Sequence, residues 1–308
     1  MDRSDITAEL AARLVAEQFP QWADLPIVAA AHNGWDNTTF RLGDDLSIRL
    51  PSGPGYAPQV EKEHRWLPEL APHLPLPIPT PAALGRPGCG YPLPWSIYWW
   101  IDGEPANLAA IPDMTAFARD LAAFLSALYA IDAAGGPGSG QHSASRGGPL
   151  TVWDAWTRQA IGQLAGEIDA PAVMRLWDTA VASRWEQTPV WVHGDVIGSN
   201  LLATDGKLSA VIDFGCSAVG DPACDLAAAW MFFDGEARVA FREGLAFDAD
   251  TWTRGRGWAL WKALVTLAGE QDEPGHADAT VHRMGWRTTP AQLIEQVLAE
   301  DRQARADD

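Results

Sequence analysis

Asp213 lies thirteen residues after Asn200, and the stretch between them reads as a hairpin that brings the two side by side. Leu201-Leu202-Ala203-Thr204 is a strand candidate, Asp205-Gly206 is a favoured two-residue turn, and Lys207 to Ile212 returns from it. A hairpin of this length leaves Asn200 and Asp213 at the same end of two paired strands, where one amide oxygen and one carboxylate can reach a common cation. Just upstream, the apolar run Val190-Trp191-Val192 enters the loop His193-Gly194-Asp195-Val196-Ile197-Gly198-Ser199-Asn200 as a buried strand would.

The order Asp-x-x-x-x-Asn followed by Asp-Phe-Gly is the spacing of a kinase catalytic loop and its metal-binding strand. Phosphoryl transfer from a nucleotide needs one carboxylate beside the acceptor hydroxyl, and Asp195 fits that role. It also needs oxygen ligands that hold Mg²⁺ against the phosphates, which Asn200 and Asp213 can supply. The competing explanation is a loop Asp, a turn Asn and a structural Asp that meet by accident.

The segment resembles the aminoglycoside phosphotransferases, small-molecule kinases with a protein-kinase-like fold. The likeness is carried by His193-Gly194-Asp195, where protein kinases have His-Arg-Asp, by Asn200, by Ile212-Asp213-Phe214-Gly215, and by Gly220-Asp221-Pro222-Ala223-Cys224-Asp225. It implies ATP or GTP as phosphate donor with Mg²⁺. It also implies a structural His193, and Asp221 and Asp225 as braces of the catalytic loop. By the same resemblance Tyr98 backs the base pocket and the main chain of Trp99 and Ile101 meets the base. Carboxylates late in the chain, such as Glu270, Asp272 and Glu273, would then either receive substrate amines or simply solvate a helix end.

Independently of the resemblance, only five residues, Cys216 to Gly220, separate Asp-Phe-Gly from Gly-Asp-Pro. That leaves no room for the activation loop on which a protein kinase docks a protein substrate, so a small-molecule acceptor is expected. A net charge of −18 argues against nucleic acid or an anionic membrane as partner and is compatible with a cationic acceptor. Cys89, Cys216 and Cys224 have no metal-binding or redox spacing, and no apolar run is long enough for a signal peptide or a membrane span. The chain is expected to be soluble and cytoplasmic.

Strand candidates crowd the first third and helical periodicity dominates the rest, which predicts an α+β, two-lobed protein-kinase-like fold. The N-lobe is assigned to 1–103 and the C-lobe to 104–308. Ser4 or Asp5 is the expected cap of a first helix with Ile6, Leu10 and Leu14 on one face. Strands follow at 27–31, 38–42 and 46–50, then a helix at 57–70. The proline-rich stretch 68–94 is expected to be extended. Trp95 to Ile101 suits a strand, 106–134 a helix, and 135–148 a Gly/Ser-rich surface loop without chemistry. Helices are expected at 153–168 and 172–186, and again through 222–304 with breaks near Asp248 and Pro274-Gly275.

On the nucleotide side, Arg49 stands on the third strand where the family more often has Lys. Glu63 is its first candidate partner and Glu61 its second; an ordinary surface ion pair is the alternative. Asn33-Gly34-Trp35-Asp36-Asn37 has the place of a phosphate-covering loop but a single glycine, so Gly34 and Asn37 are the candidates there. The expected activity is a Mg²⁺-dependent O-phosphotransferase acting on a small-molecule hydroxyl. Aminoglycosides are the first candidate acceptors, then macrolide or nucleoside antibiotics, then a metabolic sugar or amino alcohol. A non-catalytic kinase-like binding protein is the reading from another class.

Overall fold

A computed structural model describes residues 3–30, 36–272 and 276–307. The first helix, α1 (Ala8–Gln18), is capped not by Ser4 or Asp5 but by Thr7, whose Oγ1 accepts from the Leu10 N–H at 3.3 Å. Asp5 instead closes a short 3₁₀ turn at Arg3–Asp5. Ile6, Leu10 and Leu14 are buried as the periodicity requires, together with Ala11 and Val15.

Strands β1 (Ile27–Ala29), β2 (Asn37–Leu42) and β3 (Leu46–Pro51) precede helix α2 (Ala57–Leu70), and β4 (Pro81–Gly85) and β5 (Trp95–Trp99) follow it. They form one antiparallel sheet in the order β1-β2-β3-β5-β4. The two-residue period of these strands divides their side chains between two tasks. Phe40, Leu42, Leu46, Ile48, Leu50, Trp95 and Ile97 join α1 in a small core. Their alternates Asn37, Thr39, Ser47, Arg49 and Tyr98 face a cleft on the other side. The proline-rich stretch is less uniform than expected: Pro68 lies inside α2, and β4 forms within what reads as extended chain.

Beyond β6 (Glu104–Pro105) the chain is mainly helical. Helix α3 (Met114–Ala130) starts later than the pattern suggests, because Asp113 caps it through the Ala116 N–H at 2.8 Å. Helices α4 (Asp154–Gln163) and α5 (Ala170–Ala182) lead to β7 (Val190–Val192), and the hairpin is β8 (Leu201–Thr204) and β9 (Lys207–Val211). Asp205 and Gly206 both adopt positive φ, 51° and 72°, as a tight hairpin turn demands. Strand β10 (Ala218–Gly220) pairs with β7, and β6-β8-β9 make a third sheet.

The remainder is α6 (Ala223–Leu226), α7 (Ala228–Met231), α8 (Gly235–Glu243), α9 (Ala249–Asp272), α10 (His276–Met284) and α11 (Pro290–Asp307). The break at Asp248 falls where expected; Pro274-Gly275 lies outside the described residues. Helix α9 runs through the centre of the larger core, with Trp252, Trp258 and Trp261 buried. The larger core also takes in Leu67, Leu70, Ile78 and Tyr98, so α2 is fastened to the helical part as well as to the sheet.

Candidate active site

The hairpin does what the spacing requires. Asn200 precedes β8 and Asp213 follows β9, and the Ile212 N–H donates to the Asn200 carbonyl at 2.9 Å, clamping the two ends together. Asp213 has φ 66°, an uncommon conformation for a residue with a side chain, and Phe214 behind it is fully buried.

The loop that carries Asp195 is held from three directions. Asp225 accepts the His193 N–H at 2.9 Å and the Gly194 N–H at 2.7 Å. The His193 ring accepts from the Asp195 N–H through Nδ1 at 3.2 Å, so its Nε2–H donates to the Ile212 carbonyl at 3.0 Å. The ring also packs edge-on against Phe214. Gly194 has φ 85°, and a Cβ there would lie 2.4 Å from the Cys216 carbonyl oxygen, so glycine is required where protein kinases have Arg. The third hold comes from the Gly/Ser-rich loop, which is not the bland surface segment its composition suggests. Its Arg146 is buried and donates through Nε to the Gly194 carbonyl at 3.0 Å, while Trp258 and Trp261 of α9 cover its guanidinium.

Helix α9 presents contacts at one-turn intervals. Arg254 pairs with Asp221 at 2.7 Å, a pair almost wholly buried. Trp258 packs on Arg146 one turn later, and Lys262 reaches Asp195 Oδ1 at 2.9 Å one turn after that. Asp221 therefore braces the site through α9, while Asp225 grips the loop itself. Burial pushes the Asp195 carboxyl up, but Lys262 and Arg146 outweigh it and hold the group below its ordinary value. Asn200 Nδ2 donates to the Asp195 carbonyl at 3.0 Å and to its Oδ2 at 3.2 Å, so both carboxylate oxygens are engaged.

On the other side of Asn200 and Asp213 lies a cavity of about 330 Å³, lined by Asp36, Asn37, Arg49, Tyr98, Trp99, Ile101, Asn200 and Asp213, with Arg283 from α10 at its edge. The Trp99 N–H is committed to the Thr80 carbonyl at 2.9 Å, whereas no main-chain hydrogen bond is formed by Ile101 among the described residues. Gly34 lies outside the described residues. Arg49 sits between two carboxylates: Nη2 is 3.0 Å from Asp213 Oδ1 and Nη1 is 3.8 Å from Glu63 Oε1. Glu63 Oε2 accepts from the Tyr98 hydroxyl, and its Oε1 is buried without a hydrogen bond. Glu63, not Glu61, is thus the partner on α2.

Helix α2 serves the site with more residues than the sequence pattern reveals. Gln59 donates to Asp36 Oδ2 at 2.9 Å, and Lys62 donates to the Gly215 and Ser217 carbonyls at 2.7 and 2.8 Å. Burial pushes the Lys62 ammonium down to about 8. Burial, aided by the charges of Asp213 and Asp195, pushes the Asp36 carboxyl up to about 6 despite the Gln59 bond. Lys262, Arg146, Lys62, Gln59 and Asp36 escaped the sequence reading. For Lys262 and Arg254 a signal existed, their place at one-turn steps around Trp258.

The donor set suits a hard cation. With Asn200 Nδ2 spent on Asp195, its amide oxygen remains, and Asp213 keeps the carboxylate oxygen that Arg49 does not take. No group of three or more His, Cys, Asp or Glu side chains able to hold a metal occurs among the described residues. A Mg²⁺ ion here would take the rest of its shell from phosphate and water, as that ion commonly does.

The model of the phosphotransferase enzyme family matches residues 27–258. The chain belongs to that family. A search of curated proteins found no significant match. Among solved structures, this phosphotransferase is similar to the GDP and kanamycin complex of APH(2")-IIia, at 17% identity and TM-score 0.71, over 94% of this chain and 99% of that one. It is also similar to the macrolide 2'-phosphotransferase MphH from Brachybacterium faecium, at 24% identity and TM-score 0.59, over 90% and 98%. The streptomycin–ATP–APH(2")-IIa ternary complex matches at 17% identity and TM-score 0.59, over 94% and 98%. At these identities the likeness establishes the kinase-like fold that the order of strands and helices predicts.

Proposed function

We propose that this phosphotransferase moves the γ-phosphoryl group of ATP or GTP to a hydroxyl of a small molecule, with an antibiotic as the first candidate. The observation that carries the reading is Asp195 beside Asn200 and Asp213, with an anionic donor's cation, Arg49, on the facing strand. In this reading the nucleotide lies between the parts spanning 1–103 and 104–308. Its base meets the main chain near Trp99 and Ile101, and its phosphates meet Arg49, with Asn37 at the start of β2 beside them. Asp195 orients the acceptor hydroxyl and takes its proton. Asn200 and Asp213 would hold Mg²⁺, which when bound neutralises charge on the β- and γ-phosphates. Arg49 is held by Glu63 once it leaves Asp213. The rest is positioning: Asp225, Arg146 and His193 keep the loop in one shape, which lowers the barrier without further chemistry.

The acceptor class rests on the family and on similar solved structures, which include kanamycin, streptomycin and gentamicin complexes and a macrolide 2'-phosphotransferase. The acidic net charge would attract a cationic acceptor at range, while Lys262 and Arg146 make the surroundings of Asp195 locally positive. Free cysteines are consistent with a reducing, cytoplasmic setting, and among the described residues no helix is long and apolar enough to cross a membrane.

The test is consumption of ATP or GTP with Mg²⁺ against aminoglycosides, macrolides, nucleoside antibiotics and amino alcohols. Acceptor-stimulated turnover should fall by about 10²–10⁴-fold in Asp195→Ala. Tight nucleotide binding without turnover on any acceptor would point instead to a ligand-binding protein.

A further inference from the structure

Lys262 is a buried cation beside the reacting position, and the scheme above gives it no part. Its side chain is 8% exposed and its Nζ lies 2.9 Å from Asp195 Oδ1. An ammonium carries three N–H donors, and Asp195 is the one acceptor that Lys262 contacts among the described residues. Two donors are therefore uncommitted in a poorly solvated place. Neither Lys262 nor Asp195 lines the 330 Å³ cavity, whereas Asn200 and Asp213 do. Lys262 thus reaches the reacting position from outside that cavity, off α9. Both Asp195 oxygens already accept one hydrogen bond, Oδ2 from Asn200 and Oδ1 from Lys262, so a hydroxyl arriving at Oδ1 meets the Lys262 ammonium beside it.

We propose that Lys262 is a clamp for the transferring phosphoryl group, an ammonium that hands its interaction from Asp195 to the phosphoryl oxygens as the reaction proceeds. The proposal rests on the phosphotransferase reading. In that step the acceptor oxygen forms a bond to the γ-phosphorus and its proton passes to Asp195. The bond from phosphorus to the bridging oxygen breaks, and its electron pair leaves with the nucleoside diphosphate. Asp195 becomes neutral as the phosphoryl group, its negative charge spread over three equatorial oxygens, moves onto the acceptor beside it. A cation fixed at Oδ1 loses its first partner as the second appears beside it, so its interaction is stronger in the transition state than in the ground state.

The test uses Lys262→Met and Lys262→Arg with the full chain, Mg²⁺ and saturating nucleotide. Two reactions are read, transfer to any acceptor that stimulates turnover and slow hydrolysis, in which water is the acceptor. In Lys262→Met, kcat should fall about 10²–10³-fold in both while the nucleotide Kd stays within about twofold, and Arg should restore part of the loss. A second arm separates a clamp from a residue that acts only through Asp195: Lys262→Met in an Asp195→Asn background should lower the residual hydrolysis further. Unchanged kcat in Lys262→Met, or no further loss in that background, overturns the proposal while leaving the phosphotransferase reading intact. Wild-type protein that neither hydrolyses nucleotide nor phosphorylates any acceptor overturns the underlying reading and this proposal with it.

Discussion

On the nucleotide side of the cleft, the sheet offers one cation, Arg49, shared between Asp213 at 3.0 Å and Glu63 at 3.8 Å. On the catalytic-loop side, α9 offers Arg254, given to a single carboxylate, Asp221, at 2.7 Å. The first arrangement can rearrange at little cost, because Arg49 can give up Asp213 and still answer Glu63 Oε1, which otherwise lacks a hydrogen bond. The second cannot. Asp221 and Arg254 are buried together, and removing either leaves a buried charge without its counter-ion. One side is arranged to exchange a protein contact for a ligand contact, and the other to hold the loop geometry fixed.

The largest effect that would break this contrast is expected at Arg254. Arg254→Met should destabilise the protein by about 3–5 kcal/mol, since Asp221 stays buried and unpaired. Denaturant unfolding measures it, and adding Asp221→Asn should recover much of the loss. A change below about 1 kcal/mol would mean that α9 does not fix the site as the geometry indicates.

Arg49→Lys should act in the opposite way. Lysine keeps the charge but lacks the planar fork that spans Glu63 and Asp213. Nucleotide affinity should weaken about tenfold while unfolding stability moves by less than about 1 kcal/mol. Calorimetric titration with ATP and GTP alongside unfolding separates the two. A large stability loss with unchanged affinity would make Arg49 the ordinary structural ion pair.

The same contrast decides what the sequence could reveal. The hairpin from Asn200 to Asp213, the strands read at 38–42 and 46–50 and the helix at 57–70 are local patterns, dictated by turn residues and by periods of two or 3.6. The alternation in β3 even tells which residues meet the cleft. Arg146 carries no such mark. It lies in a stretch rich in glycine and serine, and only the fold brings it against Gly194 and the tryptophans of α9. Lys262 is separated from Asp195 by 67 residues, and its one-turn step from Trp258 marks a helix face without telling which loop that face meets. Gln59 and Lys62 were hidden differently: the apolar pattern of α2 pointed at the core and was silent about the neighbouring face.

The smallest expected effect concerns Asp36, on the exchangeable side. Its carboxyl titrates at about 6 in the folded protein against 3.8 for the ordinary group, so the folded state binds the proton more tightly. The sign follows: this group costs nothing below about pH 4, and its cost grows as the pH rises to 6, where the folded protein must ionise a desolvated carboxyl facing Asp213 and Asp195. Asp36→Asn removes the charge and keeps an acceptor for Gln59. In the nucleotide-free protein it should raise stability by about 1 kcal/mol above pH 6, discounted for partial solvent exposure, and the gain should vanish towards pH 4. Urea unfolding of both proteins across that window provides the measurement. A gain that does not depend on pH would show that packing rather than charge was relieved. A loss that appears only above about pH 6, and only with Mg²⁺ present, would mean that the carboxylate at Asp36 itself binds a cation of the site, which would move this residue from the covering loop into the metal-binding set.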